Sequence, residues 1–228
     1  MSTFVLVPGA GGNASYWREL VAELGDRGHE TIAVDIPQDD PAVGLPEYAD
    51  LVVAAIGERR DPVVVAQSLG GFTAPMVADR HAVRMIVLLN AMIPLPGETP
   101  GQWWGATGSD PARRAAEEAA GRDPEFDEER TFFHDLPEGV RAQMERDPQP
   151  RAPADTIWNQ PCDIRRWPDV TTHVVVGRDD RLFPQAFQQR VARERLGVEP
   201  DVLPGGHLLA KSRSAELADQ LEEYVGHR

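Results

Sequence analysis

Short apolar runs and amphipathic segments alternate along the first 93 residues of the chain, with brief connections between them. Apolar runs predict β-strands at residues 3–7, 30–34, 62–67 and 83–89. Amphipathic segments predict helices at residues 15–24, 46–58 and 69–79. The strand positions are apolar without interruption, which is typical of parallel strands that are covered on both faces. The pattern therefore predicts an α/β fold built on a mostly parallel sheet.

The alternation stops near Pro94 and resumes after Pro168. Residues 94–168 contain no convincing strand but are rich in proline and in aromatic residues. A disordered linker would be poor in aromatic side chains, whereas an inserted helical cap needs them for packing. We therefore predict a cap at 94–168, with helical segments near 111–121 and 137–146, and a core domain formed by 1–93 and 169–228. A long irregular surface loop is the alternative.

Beyond residue 168 the pattern predicts two further strands, at 172–176 and 200–203, and helices at 184–196 and 214–225. The whole chain then forms about six mostly parallel strands with helices on both faces, interrupted by one insertion.

Composition narrows the classes of function. The 228 residues carry a formal net charge of −14, which disfavours binding to nucleic acid or to an anionic membrane surface. No apolar run approaches the length of about 20 residues that a membrane-spanning helix needs. The N-terminus resembles no signal peptide, and the single cysteine, Cys162, excludes an internal disulfide, so a cytoplasmic location is expected.

The segment from Val63 to Gly71 carries the first chemical signal. Ser68 directly follows an apolar strand and directly precedes a predicted helix, and Ala66 and Gly70 beside it are small. This arrangement predicts a nucleophile elbow, a sharp turn that exposes a serine hydroxyl above a sheet. The alternative is an ordinary helix in which Ser68 serves as the N-cap.

A glycine-rich loop, Pro8–Gly12, follows the first predicted strand. It lacks the lysine and the glycine spacing of phosphate-binding loops. We therefore interpret it as a donor loop, in which the backbone N–H of Ala10 joins that of Leu69 to form an oxyanion hole.

Two more loops at predicted strand ends contain an acid and a base. Asp179 and Asp180 follow Gly177, and His207 follows the last strand. The order of Ser68, Asp180 and His207 is that of α/β-hydrolases. In this hypothesis Ser68 attacks, His207 takes its proton, and Asp180 orients the imidazole.

These motifs resemble the compact α/β-hydrolase group of plant methylesterases and hydroxynitrile lyases, with their bacterial esterase relatives. The resemblance rests on residues 5–11, 66–71, 177–180 and 205–207, and so extends along essentially the whole chain. It implies the α/β-hydrolase fold, an aromatic-lined pocket beneath a helical cap, and no cofactor. Leu208 stands where the lyases carry a lysine, and Lys211 is expected to lie too far along the chain to replace it.

The predicted function is hydrolysis of a small to medium, largely apolar carboxylic ester through Ser68, Asp180 and His207. A lyase that uses the same residues as a general base and a non-catalytic binding protein are the alternatives. No metal is assigned, the expected partner is a small-molecule ester, and a homodimer is left open. The predicted pocket residues are Gly9, Gln67, Trp103, Trp104, His134, Trp158 and Leu208.

Overall fold

A computed structural model of the protein describes residues 1–226. His227, considered in the search for metal ligands, lies outside the described residues. The six strands are β1 Thr3–Val7, β2 Glu30–Ala33, β3 Val63–Gln67, β4 Met85–Leu89, β5 Thr171–Gly177 and β6 Asp201–Leu203. The α-helices are α1 Arg18–Asp26, α2 Leu45–Ile56, α3 Gly70–Arg80, α4 Pro100–Thr107, α5 Ser109–Ala119, α6 Glu128–Phe132, α7 Glu138–Met144, α8 Gln185–Leu196, α9 Leu209–Ser212 and α10 Ser214–Gly226. Two 3₁₀-helices span Ala14–Trp17 and Asp155–Asn159.

All six strands pair in parallel, in the order β2-β1-β3-β4-β5-β6. The prediction of a six-stranded parallel α/β fold is therefore confirmed. The chain reverses its direction of winding at β1, which lies between β2 and β3. In open parallel sheets, ligands bind outside the carboxyl ends of the strands at such a reversal. The loops after β1 and β3 meet at this place.

Both faces of the sheet are buried, which explains the uninterrupted apolar strands. Along β1, Phe4 and Leu6 enter one hydrophobic cluster, whereas Val5 and Val7 enter the cluster on the opposite face. All four side chains are fully buried. Strands covered on both faces have no polar side to present to water, so their sequences do not alternate.

Residues 94–168, the predicted cap, contain α4 to α7 and the second 3₁₀-helix, and the structure has no strand between Asn90 and Val170. This segment is called the insertion below. The insertion does not have a separate core. Trp103 of α4 is fully buried, and its ring centroid lies 5.2 Å from that of Phe183 and 5.8 Å from that of Phe187. These aromatic contacts join the insertion to the core on one face of the sheet.

The helices that were predicted differ from the observed ones mainly at their ends, whereas α4, α6 and α9 were not predicted. The predicted helix 15–24 is divided into the first 3₁₀-helix and α1. Asn13 caps this 3₁₀-helix by accepting a hydrogen bond from the backbone N–H of Ser15 at 2.9 Å. Near the C-terminus, Lys211 belongs to the separate short helix α9, which precedes the last helix α10. No helix in residues 1–226 is long and apolar enough to cross a membrane.

Candidate active site

Ser68 occupies a sharp turn between β3 and α3. Its φ is +51°, in the left-handed region that residues with a side chain rarely adopt. Backbone hydrogen bonds hold the turn: the N–H of Ser68 donates to Leu89 O at 3.2 Å, and its carbonyl accepts from Gly71 and Met92, each at 3.0 Å. This strained strand-to-helix turn has the backbone geometry that the predicted nucleophile elbow requires.

Small residues around Ser68 allow three backbone segments to come together. A Cβ at Gly70 would lie 2.8 Å from Pro8 O, and one at Gly71 would lie 1.9 Å from Met92 O. A Cβ at Gly9 would lie 2.8 Å from the Cβ of Ser68. Glycine is therefore required here by close packing, whether or not the backbone needs a positive φ.

Gln38 holds the glycine-rich loop Pro8–Gly12 in place. Its buried side-chain amide donates to Gly9 O at 2.8 Å and to Gly12 O at 3.0 Å. Its Oε1 accepts from the N–H of Gly11 at 3.0 Å. Gln38 could not be predicted, because nothing in its local sequence indicates that the segment after β2 reaches this loop.

The backbone amides of Ala10 and Leu69 are available to a ligand. Within residues 1–226, neither N–H donates a hydrogen bond, and both residues line the same cavity as Ser68. Backbone N–H groups directed at a reacting carbonyl oxygen are the usual components of an oxyanion hole.

Asp180 and His207 are in direct contact. The Nδ1 of His207 lies 2.8 Å from Oδ2 of Asp180, and both residues are buried. The other carboxylate oxygen accepts from the backbone N–H groups of Leu182 at 2.8 Å and Phe183 at 2.9 Å. Gln188 adds a weaker contact to Oδ2 at 3.3 Å. The carboxylate is thus fixed from several sides and presents one oxygen to the imidazole.

Asn90 connects the loops that carry Asp180 and His207. It is fully buried, and its amide nitrogen donates to the carbonyls of Gly206 at 3.0 Å and His207 at 3.1 Å. Its side-chain oxygen accepts from the N–H of Gly177 at 2.7 Å and contacts Gln188 at 3.3 Å. A polar residue directly after the buried strand β4 was the signal that could have identified Asn90, since ligand-binding loops follow such strands.

Two aromatic rings, one of them from the insertion, and an acid of the insertion also position the loop of His207. The imidazole centroid lies 5.4 Å from the ring of Phe132 and 5.3 Å from that of Phe183. Asp135 accepts a hydrogen bond from the backbone N–H of Gly206 at 2.7 Å. The insertion therefore contacts the residue that precedes His207 as well as His207 itself.

Ser68 and His207 line one cavity of about 460 Å³. Within residues 1–226, however, the Ser68 hydroxyl and the Nε2 of His207 make no hydrogen bond with each other or with other protein groups. In ligand-free sites such hydrogen bonds are often long and shorten only when substrate binds. Much of the remaining wall is apolar and comes from the insertion: Trp104, Phe126, Phe132, Phe133, Met144 and Trp158.

The structure brings together part of the predicted pocket. Four of the predicted residues line the cavity: Gln67, Trp104, Trp158 and Leu208. Gly9 does not line it but packs behind Ser68.

Trp103 and His134 lie elsewhere, among the described residues. Trp103 belongs to the core, and its indole N–H donates to Ile93 O at 3.0 Å. His134 packs near Gly206 behind the loop of His207, with its Nε2 buried. Burial and the positive charge of Arg181 lower the pKa of His134. Local sequence placed both side chains in the insertion but did not indicate which way they point.

Lys211 belongs to the wall of this cavity, although it follows Leu208 by three residues. The short helix α9 begins immediately after Leu208 and turns Lys211 toward α1. Its ammonium group donates to Ser15 O at 3.2 Å and pairs with Glu19 at 3.1 Å. The charge of Lys211 is therefore compensated by a carboxylate.

Two further observations concern Cys162 and possible metal ligands. Cys162 is fully buried, its thiol lies 3.7 Å from Phe72 O, and burial raises its pKa to about 12. Such a thiol has little nucleophilic thiolate at neutral pH. In the part of the chain that the structure describes, no group of histidine, cysteine or acidic side chains could hold a metal ion.

The sequence from residue 4 to residue 220 matches the alpha/beta hydrolase family. The protein therefore belongs to this family, as the resemblance of its motifs implies. A search among curated proteins finds no match.

Solved structures with the same fold include several esterases. Polyneuridine aldehyde esterase has a TM-score of 0.78 at 17% identity, with 99% of each chain covered. A methylesterase from Arabidopsis has a TM-score of 0.76 at 17% identity, with 100% of each chain covered. A pyrethroid hydrolase from Sphingobium faniae has a TM-score of 0.74 at 18% identity, covering 99% of this chain and 98% of its own. At these identities the likeness establishes the fold.

Proposed function

We propose that the protein is a serine hydrolase that cleaves a small to medium, largely apolar carboxylic ester. The observation that carries this proposal is the 2.8 Å contact between His207 and Asp180 at a cavity that Ser68 also lines. A buried imidazole held at Nδ1 by a carboxylate keeps Nε2 available as a base. Polyneuridine aldehyde esterase and the Arabidopsis methylesterase, which share the fold, are named for the hydrolysis of esters, and this supports an ester as the substrate.

In the proposed reaction, Ser68 Oγ attacks the ester carbonyl while Nε2 of His207 takes its proton. The oxyanion that forms accepts hydrogen bonds from the N–H groups of Ala10 and Leu69. Collapse of this intermediate breaks the bond to the alcohol, which leaves with the proton from His207. Water, deprotonated by the same imidazole, then attacks the acyl-enzyme, and the acid is released as Ser68 regains its proton.

The cavity wall supports an apolar substrate. Trp104, Phe132 and Trp158 face a space that would exclude water from the acyl or alcohol part of the ester. Removal of water also strengthens the hydrogen bonds to the developing oxyanion.

The test combines covalent labelling with turnover. We expect the wild-type protein to react with a fluorophosphonate and to hydrolyse p-nitrophenyl acetate or butyrate. Ser68→Ala should abolish labelling and lower kcat by roughly 10⁴-fold or more, and His207→Ala should suppress both activities, because the serine is a weak nucleophile without its base. Circular dichroism should show that both variants remain folded. Ester turnover that survives in Ser68→Ala would contradict the proposal, and a protein that neither labels nor turns over esters would favour the binding-protein alternative.

A lyase is the second candidate, favoured by the position of Lys211 at the cavity wall. A cation near the site could stabilise a departing cyanide ion. The pairing of Lys211 with Glu19 opposes this role, because it offsets the positive charge. We therefore expect no release of cyanide from mandelonitrile above the rate in buffer. Cleavage of mandelonitrile that depends on Ser68, without ester hydrolysis, would replace the esterase proposal by the lyase.

A further inference from the structure

Three residues that line the cavity each carry a buried polar atom with no hydrogen-bond partner within residues 1–226. These atoms are the hydroxyl oxygens of Tyr16 and Ser109 and the Oδ2 atom of Asp147. A buried polar group without a partner is costly, and most such groups in folded proteins are satisfied by protein, water or ligand. A substrate bound in this cavity could therefore supply the missing hydrogen-bond partners.

The Oδ2 atom of Asp147 differs from the two hydroxyl groups because it cannot donate a hydrogen bond. A hydroxyl can rotate and either donate or accept, whereas a carboxylate oxygen can only accept. The missing partner of Oδ2 must therefore be a hydrogen-bond donor. Among the three groups, Asp147 is the one that specifies the chemistry of a ligand.

The rest of the Asp147 side chain is held in place. Its Oδ1 pairs with the guanidinium of Arg18 and accepts from the side-chain amide of Gln143 at 3.0 Å. The residue as a whole is 8% exposed. Because Oδ1 is fully engaged, the side chain cannot turn to satisfy Oδ2 without losing these contacts.

Asp147 is also tied to the loop that carries the candidate oxyanion donors. The adjacent Pro148 accepts a hydrogen bond through its carbonyl from the side chain of Asn13 at 3.1 Å. Asn13 follows directly after the glycine-rich loop, and Asn13, Asp147 and Pro148 all line the cavity that contains Ser68. The residue that carries the unpartnered oxygen thus belongs to the wall of the same space that would hold the ester.

We infer that Asp147 is a specificity-determining residue and that the substrate carries an uncharged hydrogen-bond donor, such as a hydroxyl group, on the part that lies under the insertion. This inference rests on the proposed ester hydrolysis. An uncharged donor is favoured over an ammonium group because Arg18 already compensates the carboxylate. A further cation buried among the aromatic rings would have no partner of its own.

The test uses matched esters that differ in one para substituent. Methyl esters of phenylacetic, phenylpropionic and phenylbutyric acid, and acetate esters of phenethyl and phenylpropyl alcohol, are each prepared with hydrogen, hydroxyl or methoxy at that position. The two series place the substituent at different distances on the acid and alcohol sides. Acid release is followed with a pH indicator. In at least one series the wild-type kcat/KM for the hydroxyl ester should exceed that for the methoxy ester by roughly tenfold or more, since hydrogen bonds to charged groups are the strong ones.

Two variants separate recognition from a structural role. In Asp147→Asn the amide oxygen should stay with the donors Arg18 and Gln143, so the NH₂ group replaces Oδ2 and the hydroxyl preference should vanish or invert toward methoxy. Arg18→Gln disturbs the ion pair but leaves Oδ2, so the hydroxyl preference should remain. Arg18 is half exposed at the side chain and does not line the cavity, so it is a matched control.

Binding to Ser68→Ala, measured by calorimetry with the same hydroxyl and methoxy esters, provides a readout that does not need turnover. A hydroxyl preference in binding with no ester hydrolysis by the wild type would reject the proposed function and retain the inference. Ester hydrolysis with equal hydroxyl and methoxy rates in every series would overturn the inference and retain the function. Equal loss of preference in Asp147→Asn and Arg18→Gln would also overturn it, because the ion pair would then act only through the shape of the cavity.

Discussion

Replacement of Asp180 by asparagine exchanges one oxygen for an NH₂ group and leaves the side chain the same size. The structure predicts which oxygen is lost. Oδ1 accepts from the backbone N–H groups of Leu182 and Phe183, so the amide oxygen should remain there and the NH₂ should face His207. The imidazole must then accept at Nδ1 and carry its proton on Nε2. In that tautomer it cannot take the proton of Ser68.

The expected loss in kcat is about 10⁴-fold, which corresponds to about 5 kcal/mol of transition-state stabilisation. Gln188 increases the effect, because its amide donor lies 3.3 Å from Oδ2 and would face another donor in the variant. The loss of activity should therefore be accompanied by a lower melting temperature.

Asp179→Asn is the matched control, since it makes the same change one residue earlier. Asp179 is 48% exposed at the side chain and accepts from the N–H of Gly205 at 3.2 Å. Burial acts to raise its pKa, but the hydrogen bonds from Arg178 and Gly205 outweigh burial and hold the pKa below its usual value. An asparagine can still accept from Gly205, so kcat should fall by no more than roughly tenfold, as for an exposed, weakly coupled charge.

The assay is steady-state hydrolysis of p-nitrophenyl butyrate by both purified variants, with melting temperatures measured in parallel. Similar losses in the two variants would mean that the contact between Asp180 and His207 does not set the tautomer. A larger loss in Asp179→Asn would transfer the role to the neighbouring acid.

Two further predictions concern the loops around Ser68. Gln38→Ala removes the hydrogen bonds that hold the glycine-rich loop, so kcat for the same ester should fall by roughly 10- to 100-fold with little change in KM; the loss of one oxyanion donor costs about 10²–10³. An unchanged kcat would show that the loop keeps its shape without Gln38. Gly71→Ala should lower the free energy of unfolding, measured in urea, by about 1–3 kcal/mol or more. The reason is that the new Cβ would lie 1.9 Å from the backbone oxygen of Met92. Gly105→Ala, whose Cβ would meet nothing within 4 Å in α4, should be neutral or stabilising, and equal effects in the two variants would refute the packing argument.

The local sequence determined most of the fold and the position of the turn at Ser68. Continuous apolar strands report burial on both faces directly, because each residue of such a strand meets the core on one side or the other. The turn could be predicted because the steric conditions that require Gly70 and the strained Ser68 arise within a few residues. The contact between Asp180 and His207 followed from the order of loops at the carboxyl edge of the sheet.

Tertiary structure alone decided which other side chains reach the site. Gln38 and Asn90 act on loops distant in sequence, at Gly9 and at His207, and no local pattern records such partners. The insertion placed Trp103 in the core and Asp147 at the cavity, although both belong to the same segment without strands. Its helices are short, so the spacing of apolar residues along them does not show which face is buried. The direction of each side chain therefore depends on packing against the sheet. The sequence therefore defined the chemistry at the strand ends, whereas packing of the insertion defined the shape and polarity of the space above them.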